Sequence, residues 1–394
     1  MRRIIIALAA VMAVASAQAA DDKIKIGVMM GFTGPIESLT PDMAAGAELA
    51  IEEVNDSKGL LGGAAVTPVR GDTTCTDSAA ASAAAERLIT ADRVNAIVGG
   101  DCSGVTTAML QNVAMPNGTV MISPSATSPA LSTLEDNGLF FRTAPSDARQ
   151  GQVISEVLKE RGVGTIAITY TNNDYGKGLA DSIATNFKAM DGNVTIEAAH
   201  EDGKGDYAAE VAALAAAGGD VLVVAGYLDQ GGKGIIQAAL DTGAFETFLL
   251  PDGMVGDSLV EAIGADLNGS FGTVPGTDST GAATFAEMAG AAGFKAGPFT
   301  GEAYDAAALI MLAMQAAGSA DSGKLKDHVM AVANAPGEKI HPGELAKGLE
   351  IIAGGGDVDY VGASAVELIG QGESAGNYRE IAVEGGKIVT VRYR

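Results

Sequence analysis

The chain has no tryptophan, only two cysteines and only three histidines, and its 25 basic residues face 49 acidic ones, a formal net charge of −24. These shortages exclude several kinds of chemistry. His200, His328 and His341 are scattered and share no metal-ligand spacing, and no His-Glu-x-x-His or Cys-x-x-Cys pair occurs. No zinc centre or dithiol site is therefore expected. Ser103 has Asp101 two residues before it, where a Gly-x-Ser-x-Gly nucleophile elbow needs glycine. Tyr175-Gly176-Lys177-Gly178 lacks the earlier glycine and the later Ser or Thr of a P-loop. The acidic stretch from Glu201 to Asp206 has the wrong spacing for a calcium loop. The acidic balance argues against nucleic acid and anionic lipid as partners. The expectation is a protein without metal or cofactor that is not an enzyme.

The N-terminus reads as an export leader. Arg2 and Arg3 precede an apolar run over 4–14, and Ala17-Gln18-Ala19 is a small-x-small cleavage site, so 1–19 is assigned to a signal peptide cut after Ala19. The run is well short of the roughly 20 residues needed to span a bilayer. No later segment of that length lacks both charge and glycine, so no stable membrane insertion is expected and the mature chain is read as exported. In an exported chain, Cys75 and Cys102 read as a disulfide, with two buried free thiols as the other reading.

Strand and helix patterns alternate through the remainder, which is too long for one ordinary core. Strands are expected over 23–30, 66–70, 95–98 and 119–122, with helices between them. Thr40 and Pro41 open the first helix. A second series has strands over 165–170, 193–198, 220–225 and 247–250. Gly269, Gly272 and Gly276 then break the pattern, a helical region follows, and three short strands close the chain over 365–369, 378–383 and 387–391. The fold class is α/β, two doubly wound parallel-sheet lobes joined by a hinge. One lobe takes 20–145 plus 275–372, the other 146–274 plus 373–394.

Two loops stand out for binding. Gly99-Gly100-Asp101-Cys102-Ser103-Gly104 and Ser123-Pro124-Ser125-Ala126-Thr127 each follow an apolar strand and set hydroxyls at its carboxyl end. Ligands of open α/β sheets lie in the crevice beyond those ends. Ser103 at a helix N-terminus favours an anion, although an ordinary cap is the plainer reading. Together the loops suit a small carboxylate.

Several separated motifs occur in the order found in one family: Thr33-Gly34-Pro35, Asp101-Cys102-Ser103, Ser123 to Pro129, Phe141-Arg142-Thr143, Asp174 to Gly178, Gly226-Tyr227 and Pro251-Asp252-Gly253. The chain resembles the leucine/isoleucine/valine-binding proteins of branched-chain amino acid ABC transporters, which are type I periplasmic receptors. The resemblance implies that Ser103 and Thr127 hold the α-carboxylate of an amino acid. The carbonyl of Ser125 and the Thr127 hydroxyl, with Ala126 in the same turn, would face the α-ammonium. Tyr175 and Tyr227 would close from the second lobe, and Asp252 would stand against the ammonium where a relative has Glu. The family's disulfide matches Cys75 and Cys102, and the expected partners are membrane permease subunits, with the receptor itself a monomer. Leu39 falls where the family often has an aromatic wall, and Tyr304 is a candidate substitute, with a core aromatic as its other reading. That departure keeps open a short-chain amide, a γ-amino acid or an aromatic carboxylate as ligand, and a sensory receptor as role.

Overall fold

The structure is a computed structural model and describes residues 23–394. The leader assigned to 1–19 lies outside the described residues. Among the described residues no helix is long and apolar enough to cross a membrane.

Two seven-stranded sheets dominate. The first contains β1 (Ile24–Met30), β2 (Val66–Asp72), β3 (Ala96–Gly99), β4 (Val120–Ser123) and β5 (Phe140–Pro145). The second contains β6 (Thr165–Thr171), β7 (Asn193–His200), β8 (Val221–Ala225), β9 (Phe248–Leu250) and β10 (Phe271–Pro275). A small pair, β11 (Glu338–Ile340) and β12 (Val358–Tyr360), stands apart from both. β13 (Leu368–Ile369) and β14 (Glu373–Ser374) extend the first sheet beside β5, and β15 (Tyr378–Glu384) and β16 (Lys387–Tyr393) extend the second beside β10. The orders are β13-β14-β5-β4-β3-β1-β2 and β16-β15-β10-β9-β8-β6-β7. Both are therefore the same doubly wound pattern. The strand order reverses between β1 and β3 in one sheet and between β6 and β8 in the other, the points where such folds bind ligands.

Burial explains why the central strands carry few polar residues. β3, β4, β5, β8 and β10 are buried along their whole length, as expected for strands covered by helices on both faces. Helix Thr300–Ala317 packs against helix Thr40–Ser57 over the first sheet. It buries Leu309, Ile310, Met311, Leu312 and Met314 completely, each contributing about 1.5–3 kcal/mol. Helix Thr40–Ser57 begins as expected, with Pro41 in its first turn. The cap position, however, is Leu39, and the Thr40 hydroxyl donates to the Gly31 carbonyl at 2.9 Å. Helix Ser78–Glu86 is capped by Asp77, which accepts from the N–H groups of Ala79 and Ala80. Cys75 and Cys102 form a disulfide that closes 27 positions and ties the loop after β2 to the loop after β3.

The chain passes between the sheets three times: after Pro145, after Pro275, and between Ser374 and Tyr378. Residue 373, expected to begin the second lobe's last segment, is in β14 and pairs with Arg142 of the first sheet, and Pro275 is the last residue of β10 in the second. The glycines around Phe271 do not break the pattern, because Gly272 lies within β10. A Cβ there would stand 1.8 Å from the Leu250 carbonyl oxygen, so only glycine permits this spacing to β9. The closing strand expected over 365–369 is shorter, Leu368–Ile369.

Candidate ligand cleft

The loops after β1, β3 and β4 of the first sheet meet those after β6, β8 and β9 of the second around a narrow cleft. Ser103 and Ser125 line it from the first sheet, Tyr175, Tyr227 and Asp252 from the second, and Ile36, Leu39 and Phe299 supply apolar wall.

On the first side, buried Asp101 organises the floor. Its carboxylate accepts from the Gly31 N–H at 2.7 Å and from the Thr73 hydroxyl at 2.6 Å, and its carbonyl accepts from the Ser125 hydroxyl at 2.9 Å. The loops after β1, β2, β3 and β4 are thereby tied together, with the disulfide as covalent reinforcement. Ser103 is the first residue of helix Ser103–Met109. Cys102 holds the cap position, and the Ser103 hydroxyl accepts from the Ser128 N–H at 3.1 Å. That bond turns the Ser103 oxygen toward the second loop instead of its own helix, so the plain capping role does not apply.

On the second side, Tyr175 opens helix Asp174–Ala189 behind an Asn173 cap. Its ring stacks on Tyr227, with centroids 5.2 Å apart and planes 19° from parallel, a geometry that fixes both as one wall. The Tyr175 hydroxyl donates to Asp252 Oδ1 at 2.6 Å, and the Gly253 N–H donates to the same oxygen at 2.8 Å. Neither bond reaches Oδ2. Gly253 is required here, since a Cβ would stand 2.7 Å from that tyrosine oxygen and 2.6 Å from the Gly226 carbonyl oxygen. Burial lifts the Asp252 pKa to about 6, against the lowering pull of these donors.

Behind Asp252 lies an acid the sequence reading passed over. Asp147, first residue of helix Asp147–Glu160, is fully buried, and neither of its carboxyl oxygens has a hydrogen-bond partner among the described residues. The Thr127 hydroxyl, also buried, is likewise unpartnered, while the Thr127 carbonyl accepts from the Asp147 N–H at 2.8 Å. Burial drives the Asp147 pKa well up. The nearby charge of Asp252 adds to the rise, and Thr127 and Arg142 oppose it. The Thr127 hydroxyl lies near enough to act on the Asp147 carboxyl, and a small shift would let it donate there, which leaves the second carboxyl oxygen as the group still without a partner. The only sequence signal for Asp147 was its place in a first helical turn, which an ordinary dipole-favoured acid also occupies.

Three expected site residues do not line the cleft: Thr127, buried beside Asp147, and Tyr304 and Ala126. Tyr304 does not wall the cleft. It is wholly buried in the first sheet's helical layer, packed on Phe285, and its hydroxyl donates to Glu53 at 2.5 Å. Its helix is apolar on nearly every face, so it points into core, and Phe299, held at φ 62° just before that helix, supplies the wall instead. Ala126 sits behind the lining, its carbonyl taken by the buried Arg142 guanidinium at 3.0 Å. Arg142 also holds the Ser128 carbonyl, the Ser132 hydroxyl and Glu373, which fixes the loop that carries Thr127. Leu39 lines the cleft.

The rim of the cleft is bridged. The Asp229 N–H donates to the Pro35 carbonyl at 3.0 Å, and the Ser38 N–H donates to Asp229 Oδ2 at 2.9 Å. Ser258 donates to Asp229 Oδ1 at 2.7 Å and lies 3.1 Å from the Ser38 hydroxyl. These contacts join the loop after β1 to the loops after β8 and β9. Among the described residues no cluster of His, Cys, Asp and Glu has the arrangement of a metal centre.

Comparison with known proteins agrees with this architecture. The chain is 32% identical over 322 residues to a Leu/Ile/Val-binding protein homolog of Brucella melitensis, which covers 80% of this chain and 84% of the relative. It is 30% identical over 322 residues to the leucine-, isoleucine-, valine-, threonine- and alanine-binding protein of Pseudomonas aeruginosa, with the same coverage. The crystal structure of a leucine-binding protein from Thermotoga maritima superposes with a TM-score of 0.79 at 22% identity, over 94% of this chain and 98% of the other. The family model described as periplasmic binding protein matches residues 23–336. Two sheets of one topology, facing each other across a cleft at both switch points, and this match over most of the length place the chain in the periplasmic binding protein family.

Proposed function

We propose that this protein is the receptor of an ABC importer and binds an amino acid with an aliphatic side chain between its two sheets. The observation that carries the reading is the pairing of unlike polar groups across one cleft. A hydroxyl-bearing loop at a helix start lies on the first sheet, and the buried acid Asp252 lies on the second. A zwitterion needs both at once. In this reading the α-carboxylate takes Ser103 and the N–H groups of the two loops. The α-ammonium takes Asp252 together with Thr127, the Ser125 carbonyl and Asp147, whose unpartnered oxygen it would satisfy. Tyr175 and Tyr227 close over the ligand, and Ile36, Leu39 and Phe299 meet its side chain.

Closure couples binding to transport. The ligand contacts both sheets, so it binds the closed arrangement more tightly than the open one and shifts the population toward it. The closed receptor, a monomer released into the periplasm by cleavage of its leader, presents both lobes to permease subunits. Calorimetry on ligand-stripped protein with leucine, isoleucine, valine, alanine, threonine, γ-aminobutyrate and benzoate tests the reading. Leucine or a close aliphatic relative is expected to bind best, with affinity lost in Asp252→Ala and Ser103→Ala. Best binding by benzoate, unchanged in Asp252→Ala, would replace the amino acid with an aromatic carboxylate. Unchanged leucine affinity in both variants would show that the ligand lies elsewhere.

A further inference from the structure

The loop that presents Phe299 to the cleft also borders a second groove at the junction of the sheets. Arg379 of β15 reaches it from the second sheet, while Glu302 and Ser364 line it from the first sheet's layer and Thr277 from the crossing segment after β10. Arg379 makes no hydrogen bond or ion pair with its guanidinium among the described residues; the carboxylates nearest in sequence to it, Glu380 and Glu384, are elsewhere, and Glu380 is taken by Arg161, Arg392 and Arg394. Glu302 is 5% exposed, and no other described residue bonds its carboxyl. It lies in the first turn of the 18-residue helix Thr300–Ala317, whose free N–H groups and dipole favour negative charge nearby. Phe285, Pro298 and Ala363 give the groove an apolar side.

We propose that this groove is a second binding site, for a small organic carboxylate, with Arg379 pairing to its oxygens and the Glu302 carboxylic acid donating a hydrogen bond to them. A guanidinium matches a carboxylate in shape as well as charge. Burial raises the Glu302 pKa to about 8, the Asp305 charge adding to the rise and the Arg379 charge opposing it, so that the carboxyl is largely protonated near neutrality, and a bound anion that takes up the Arg379 charge favours the protonated form further. Its occupant would touch both sheets, as the ligand of the cleft does. Any preference for one arrangement of the lobes would then be felt reciprocally at the cleft.

The test is a titration of the full protein with acetate carrying ¹³C at its carboxyl, read by NMR linewidth at neutral pH. Arg379 does not line the cleft, so the difference between wild type and Arg379→Met isolates the groove whatever the cleft holds. Saturable 1:1 binding is expected in the wild type, weakened at least tenfold in Arg379→Met and in Glu302→Leu. Glu302→Gln, which keeps a donor, should stay within about threefold. Arg379→Gln serves the same purpose if the methionine variant does not fold. Identical titrations of wild type and the Arg379 variants would overturn the proposal. So would displacement of acetate by chloride at equal concentration, which would mark a place for any anion.

Discussion

Lowering the pH should loosen the grip on an amino acid while making the ligand-free protein more stable. Asp252 is buried at the cleft with a pKa raised from 3.8 to about 6. An ammonium group needs the ionised form. The ionised fraction falls from about nine-tenths at pH 7 to about one-tenth at pH 5, which corresponds to roughly tenfold weaker binding, or about 1.4 kcal/mol. Asp147 is raised in the same direction by burial, so it does not take over the lost charge. Stability moves the other way. A carboxyl whose pKa is raised by folding favours the folded state most when protonated. Its contribution is complete below the unfolded pKa near 4 and is lost as pH rises through about 6, a total of about 3 kcal/mol. Calorimetry with leucine between pH 7.5 and 5, alongside thermal unfolding of the ligand-free protein, reads both effects. Asp252→Asn should bind weakly at every pH and lose that share of the pH dependence of stability. Leucine affinity constant within twofold across the range in the wild type would refute the argument, because it would mean that no titrating carboxylate meets the ligand.

Other consequences follow from particular contacts. Asp229→Ala removes one cross-rim bond, from the Ser38 N–H, and one within the second side, from the Ser258 hydroxyl; a bond to a charged acceptor contributes about 1.5–3 kcal/mol. Ligand affinity measured by calorimetry should fall about tenfold, with the unfolding midpoint of the ligand-free protein changed much less. Replacing Cys75 and Cys102 together by serine should cost about 3 kcal/mol in denaturant unfolding, since their bridge closes 27 positions. Tyr304→Phe should lower stability by about 1–2 kcal/mol through the partly buried bond to Glu53, yet leave leucine affinity within twofold. A larger affinity change would return Tyr304 to the cleft.

Most of the two sheets could be read from the chain because their strands are short apolar runs set between helical patterns, β1 to β4 and β6 to β9. β10 could not. Its glycine looks like punctuation in one dimension, and only the approach of β9 explains it. β5 was hidden because Phe141-Arg142-Thr143 stood out only as a motif between two series of strands, whereas the structure makes Phe140–Pro145 the strand that leads across. In the cleft, Ser103, Ser125, Tyr175, Tyr227 and Asp252 follow strand ends, the one location where pattern and position coincide, and all five line it. Asp147 and the Ser38–Asp229 bridge depend on distances between segments far apart in sequence. Tyr304 was misread because a helix buried on all sides has no polar face to reveal which way an aromatic points.

The three passes of the chain between the sheets bear on how the jaws meet. One strand of chain would let the lobes swing and twist about each other freely. Three neighbouring straps resist twist and sideways slip while still allowing a bend, much as a strip of tape does. Ser38 and Asp229 are 191 positions apart, yet a joint that bends without twisting would bring them into the same alignment at each closure.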